Sequence, residues 1–112
     1  MISPTDSRLL GLMIEKCERL IDICSTYDDK TIESNYFYSD TVQFEFEKLY
    51  EDMTRLSTEF LLIHPEMHFN DLRSIRNRVA HNYESVSLKI LLDTIHNNIP
   101  ELKEELIKLL NS

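Results

Sequence analysis

The chain has 112 residues, a formal net charge of −8, one glycine, three prolines and two cysteines. That length suits one domain, residues 1–112, around a single core, and so few turn residues call for few, long elements, meaning helices. No apolar run of about 18 residues exists to span a membrane, the lone Gly11 rules out a glycine-rich phosphate loop, and the acid excess argues against a broad nucleic-acid face.

Ser3-Pro4-Thr5-Asp6 reads as a helix start, with Ser3 as N-cap, Pro4 at the first helical position and Asp6 where an acid suits the first turn. No basic patch followed by an apolar core stands there, so the segment is not read as a secretory signal and a cytoplasmic location is expected. Leu9, Leu10, Met13, Ile14, Cys17, Leu20, Ile21 and Cys24 recur at three and four residues, giving one amphipathic helix to about Tyr27. Cys17 and Cys24 are separated by about 10.5 Å of helix rise, too far for a disulfide, and read as small buried hydrophobes.

After the polar break Asp28-Asp29-Lys30, a short, less regular helix is expected over Thr31–Ser39. Its Tyr36-Phe37-Tyr38 cluster reads as packing against the bundle, with base stacking as the functional alternative. Ser39-Asp40 is expected to cap a long helix whose seam is Val42, Phe46, Leu49, Met53, Leu56 and Phe60, closed by Leu61-Leu62-Ile63 and ended by His64-Pro65-Glu66. His64 and His68 are four apart, a zinc-ligating spacing on a helix, but Pro65 interrupts that helix and no metal site is expected.

Asn70 is expected to cap a third helix with Leu72, Ile75 and Val79 as its buried row. A fourth is expected from near Ser87, carrying Leu88, Leu91, Leu92 and Ile95, with His96 solvated near its end. Pro100 should kink or restart it, leaving Leu102, Leu106, Leu109 and Leu110 to finish the core. The expected fold is all-α, a four- to five-helix up-down bundle.

The chemistry concentrates in Arg76-Asn77-Arg78-Val79-Ala80-His81-Asn82-Tyr83. Arginine grips phosphate with a planar fork of donors, and histidine moves protons near neutral pH. Together they suit cutting a phosphodiester, and the reading asks for no metal and no cofactor. Between Asp71 and Lys89 the charge balance reverses, because Arg73, Arg76, Arg78 and Lys89 face only Asp71 and Glu84. Arg76 and His81 lie roughly 140° apart around a regular helix. To act on one phosphate, either the helix bends or ends near Ala80 or a second chain supplies the partner group.

This R-N-x-x-x-H-x-Y stretch resembles the R-x(4–6)-H motif of HEPN-superfamily ribonucleases, and more closely the R-x4-H-x-Y of HepT-type toxins. Glu84-Ser85-Val86-Ser87, a leucine helix and Ile99-Pro100-Glu101-Leu102 are similar to that family's ending. Asp40 followed by a long helix carrying Glu51 is similar to its middle. The chain departs from the family where it has Tyr50-Glu51-Asp52 in place of the frequent Gly-Glu-Ala, and Phe69 in place of Trp. Glycine at 50 would permit close helix approach, and Tyr50 changes that packing.

The resemblance implies a dimeric HEPN-like helical bundle, with Arg76 and His81 of both chains facing a shared cleft. It implies a metal-independent endoribonuclease, often the toxin of a pair whose antitoxin is a minimal nucleotidyltransferase. Arg76 and His81 are the expected catalytic residues, with Asn77 and Arg78 in support. Tyr83 is the expected site of adenylylation. The expected partners are an RNA substrate, a second copy of the chain and that nucleotidyltransferase. The alternative is a non-catalytic helical module that binds a partner protein or nucleotide, a reading drawn from the net charge.

Overall fold

The computed structural model describes residues 2–67, 69–81 and 84–112, with the backbone alone at 81 and 84–87. Among these residues all regular structure is helical: α1 (Pro4–Thr26), α2 (Asp29–Ser34), α3 (Tyr36–Thr54), α4 (Thr58–Ile63), α5 (Phe69–His81), α6 (Glu84–Asn97) and α7 (Ile99–Asn111). A 3₁₀ turn over Pro65–Met67 precedes α5. The long helices α1, α3, α5, α6 and α7 are the five of the expected all-α bundle. The other two have six residues each.

α1 is the centre of the bundle. Its buried row of Leu9, Leu10, Met13, Cys17, Leu20 and Cys24 packs on α3 and α7, and more lightly on α6. Opposite it stand Val42, Phe46, Leu49 and Met53 of α3, each 1% exposed or less. α6 adds Leu88, Leu91, Leu92 and Ile95, and α7 adds Ile99 and Leu106. Each such side chain contributes about 1.5–3 kcal/mol when taken fully out of water. One ion pair reaches inside: Lys16 Nζ lies 3.1 Å from the buried Asp52 Oδ2, an oxygen with that charge partner but no hydrogen bond among the described residues.

The N-cap at Ser3 is as expected, its hydroxyl accepting from the Asp6 amide at 3.1 Å. The long helix starts earlier than expected. Asn35, not Ser39-Asp40, caps α3, its side-chain oxygen accepting from the Phe37 amide at 3.0 Å. Ser39 instead sits one turn inside α3, donating to the Tyr36 carbonyl. Tyr36 and Phe37 are 67% and 65% exposed and stack on each other, so they do not pack onto the bundle. Tyr38 does, stacked on Tyr27 with 4.2 Å between ring centres.

The seam from Val42 to Phe60 is buried throughout, yet it does not lie on one helix. Arg55 and Leu56 close α3 through short-range bonds to the Asp52 and Met53 carbonyls. Ser57 then caps α4, accepting from the Phe60 amide at 3.1 Å. Asp6 fixes this corner: its carboxylate accepts from the Ser57 amide at 2.9 Å and from the Ser57 hydroxyl at 2.6 Å. Leu56 and Phe60 keep a four-residue spacing across the turn, which is why apolar periodicity alone read it as continuous helix.

Two further boundaries differ. α5 begins at Phe69, whose buried ring lies 6.4 Å from that of Phe60, so Asn70 falls within the first turn. α6 begins at Glu84, where an acid suits the helix dipole, and not near Ser87. α7 restarts at Ile99 with Pro100 in its first turn, as expected, but Leu110 is 36% exposed and stands outside the core.

Candidate active site

α5 lies against α6 and, more lightly, α3. Leu72 is buried and Ile75 and Val79 are packed on the core, which carries Arg76 to the seam between α5 and α3. Two residues one turn apart on α3 receive it. Arg76 Nε donates to Glu47 Oε1 at 3.2 Å, and the guanidinium carbon stands 5.0 Å from the centre of the Tyr50 ring. Tyr50 is itself partly buried against the core, so the platform under the arginine is fixed by packing. Asn77 Oδ1 makes a longer contact, 3.5 Å from Arg76 Nη1. Nη2 has no partner among the described residues.

Arg76 is thus held on one flank and open on the other, with 35% of its side chain exposed. An ion pair this exposed is worth at most about 1 kcal/mol. A phosphate offers the same oxygen geometry with more charge, so exchange of Glu47 for phosphate on the guanidinium is energetically accessible. Arg73, Arg78 and Lys89 are exposed on the same helix pair.

α5 is regular through Ala80 to His81, the last residue described before the gap at 82–83. The backbone therefore sets residues 76 and 81 on faces roughly 140° apart. The His81 side chain, Asn82 and Tyr83 lie outside the described residues, as does His68.

Other reactive groups are accounted for elsewhere. Burial pushes the thiol of Cys17 up to about 12 and that of Cys24 up to about 11, which makes them core residues and poor nucleophiles at neutral pH. His64 Nδ1 lies 3.4 Å from Glu66, with its ring against Phe60. His96 Nε2 is not simply solvated: it meets Asp29 Oδ1 at 2.8 Å, tying the end of α6 to the start of α2. Among the described residues no group of three or more His, Cys, Asp or Glu side chains is placed to hold a metal ion. No described helix is long and apolar enough to cross a membrane.

A family model described as Ribonuclease HepT-like matches residues 13–109. The chain belongs to the HepT-like ribonuclease family. No curated protein and no solved structure gives a match. The span shared with the HepT-like model takes in α2 to α6 whole, and with them the stretch from Arg76 to Tyr83. Glu47 and Tyr50 are the site residues that motif reading did not single out as such. Their signal was a three-residue spacing on α3 just off the buried seam of Phe46, Leu49 and Met53.

Proposed function

We propose that this HepT-like chain is a metal-independent endoribonuclease. His81, as general base, takes the proton from a ribose 2′-hydroxyl. The oxygen then attacks the adjacent phosphorus and the 5′-oxygen leaves. Arg76 holds the phosphate and stabilises charge on the phosphorane-like transition state. The observation that carries this reading is the pose of Arg76, seated on Tyr50 with its outer edge open, on the helix that also bears His81. Asn77 supports that pose, and Arg78 adds positive charge elsewhere on the same helix.

The angle between residues 76 and 81 favours a site completed by a second copy. We place a two-fold homodimer with α5 at or near the interface, so that Arg76 of one chain works with His81 of the other. The decisive experiment is RNA cleavage in EDTA by the wild type, Arg76→Ala and His81→Ala. Cleavage by the wild type alone supports the mechanism. Equal cleavage by all three overturns it.

The same reading makes the chain the toxin of a toxin–antitoxin pair, silenced by a minimal nucleotidyltransferase that adenylylates Tyr83. A phenol with a pKa near about 10 is a poor base at neutral pH, so Tyr83 is assigned regulation and not proton transfer. A nucleotide on its hydroxyl would pair with Arg76 or Arg78 and take the phosphate position. Tyr83→Phe is then expected to stay toxic and to resist the antitoxin. Loss of toxicity in that variant would show the role misassigned.

A second reading, a non-catalytic module binding a protein or nucleotide, draws on the net charge of −8 and on Glu47 occupying Arg76. Normal growth on expression, with a partner captured through the α5 face, favours it. Arrest abolished by Arg76→Ala favours the enzyme.

A further inference from the structure

On the far side of Ile75 from the arginine seam, a cleft of about 530 Å³ opens between the start of α5 and the α6–α7 junction. That volume falls within the ordinary range for ligand-binding clefts, about 300–1,000 Å³. Its apolar lining includes Met67, Phe69, Leu72 and Ile75 on one wall and Ile99 and Leu102 on the other. The buried Thr94 hydroxyl in that lining is already bonded to the Ile90 carbonyl at 2.8 Å, so it is no unmet polar group. Among the described residues lining the cleft the charged ones are all acidic, Glu66, Asp71, Glu101 and Glu105, with no lysine or arginine.

We infer that this cleft is a docking site for a basic amphipathic segment of a partner protein, its apolar side chains on the lining and its lysines or arginines on the carboxylates of Glu66, Glu101 and Glu105. Charge decides the class. RNA and other anionic ligands are repelled here, so the cleft is no extension of the Arg76 site. A purely apolar ligand would leave the acidic rim unused. A helix presenting apolar residues at three- and four-residue spacing between cations satisfies both layers. Glu105 meets the exposed Lys108 at 3.4 Å and Glu66 meets His64 at 3.4 Å, single contacts for which an incoming cation exchanges at little cost. This inference holds whether or not the chain cleaves RNA.

The test titrates the full chain, methyl-labelled for NMR, with a synthetic leucine–lysine amphipathic peptide of about twelve residues. Saturable binding is expected, with shifts concentrated on the methyls of Leu72, Ile75, Ile99 and Leu102. Glu101→Lys with Glu105→Lys is expected to weaken it by at least about tenfold, and Glu101→Gln with Glu105→Gln by less, in the same direction. The control Glu15→Lys with Asp22→Lys, equal in charge change and exposed on α1, is expected to alter affinity by less than about twofold. Circular dichroism checks that all variants fold. Absence of saturation, shifts centred elsewhere, or equal losses from the two reversed pairs overturns the inference, the last by showing diffuse attraction to an acidic body.

Discussion

The Arg76 guanidinium rests 5.0 Å above the ring of Tyr50, the residue at which this chain departs from the glycine frequent in the family it resembles. Where a glycine would let helices approach, the tyrosine supplies a face on which the arginine is held. A contact of this kind is worth about 0.5–1 kcal/mol at a partly exposed site. Tyr50→Leu is therefore expected to lower kcat/KM for RNA cleavage by about two- to fivefold while the chain stays folded. Tyr50→Phe keeps the ring and is expected to stay within about twofold. Equal losses in both variants would assign the effect to the hydroxyl.

Glu47 occupies the guanidinium that the proposed mechanism assigns to phosphate. Glu47→Gln removes the charge and keeps the shape, so RNA affinity measured by anisotropy is expected to rise by about two- to fivefold. A fall in affinity would mean that Glu47 serves to aim Arg76 and not to occupy it.

A site shared between two copies has an arithmetic signature. Arg76→Ala and His81→Ala are each expected to be inactive, and their equimolar mixture to recover roughly a quarter of wild-type cleavage: half the dimers are mixed and one site in two is intact. Cleavage assays after co-refolding read this directly. A mixture as dead as its components argues that both residues act within one chain.

Asp6 links folding to acid. Burial raises its pKa, but hydrogen bonds from the Ser57 hydroxyl and amide and from Ser3 outweigh that, leaving it below the usual carboxylate value. With the folded pKa depressed, the stabilisation is complete above the unfolded value of about 3.9 and is lost as pH falls through the folded one. Asp6→Asn is expected to cost about 1–3 kcal/mol at neutral pH and to flatten the stability profile below about pH 4. Denaturant melts at several pH values check it.

Gly11 lies inside α1, and a Cβ built there meets nothing within 4 Å. Gly11→Ala is expected to stabilise the chain by about 0.5–1 kcal/mol, read as a raised melting temperature. Destabilisation would point to a partner surface over that position.

Much of the fold was legible because apolar spacing reports burial: every expected seam residue from Val42 to Phe60 is buried. The same spacing was blind to the turn at Arg55–Ser57, because what makes that turn is a carboxylate 51 residues away. Asn35 and Ser39-Asp40 both had cap chemistry, and local sequence gave no means to choose between them. At the site, the motif named Arg76 but not what holds it. Glu47 and Tyr50 come from another helix, and only packing brings α3 beneath α5.

The helix that carries the motif is not the helix that carries the core. α5 is seated chiefly on α6 and α3, while α3 and α7 each pack on α1. Substitutions along the exposed face of α5 are therefore expected to cost the rest of the fold little. Recognition in such a protein is free to diversify at a pace its scaffold does not set.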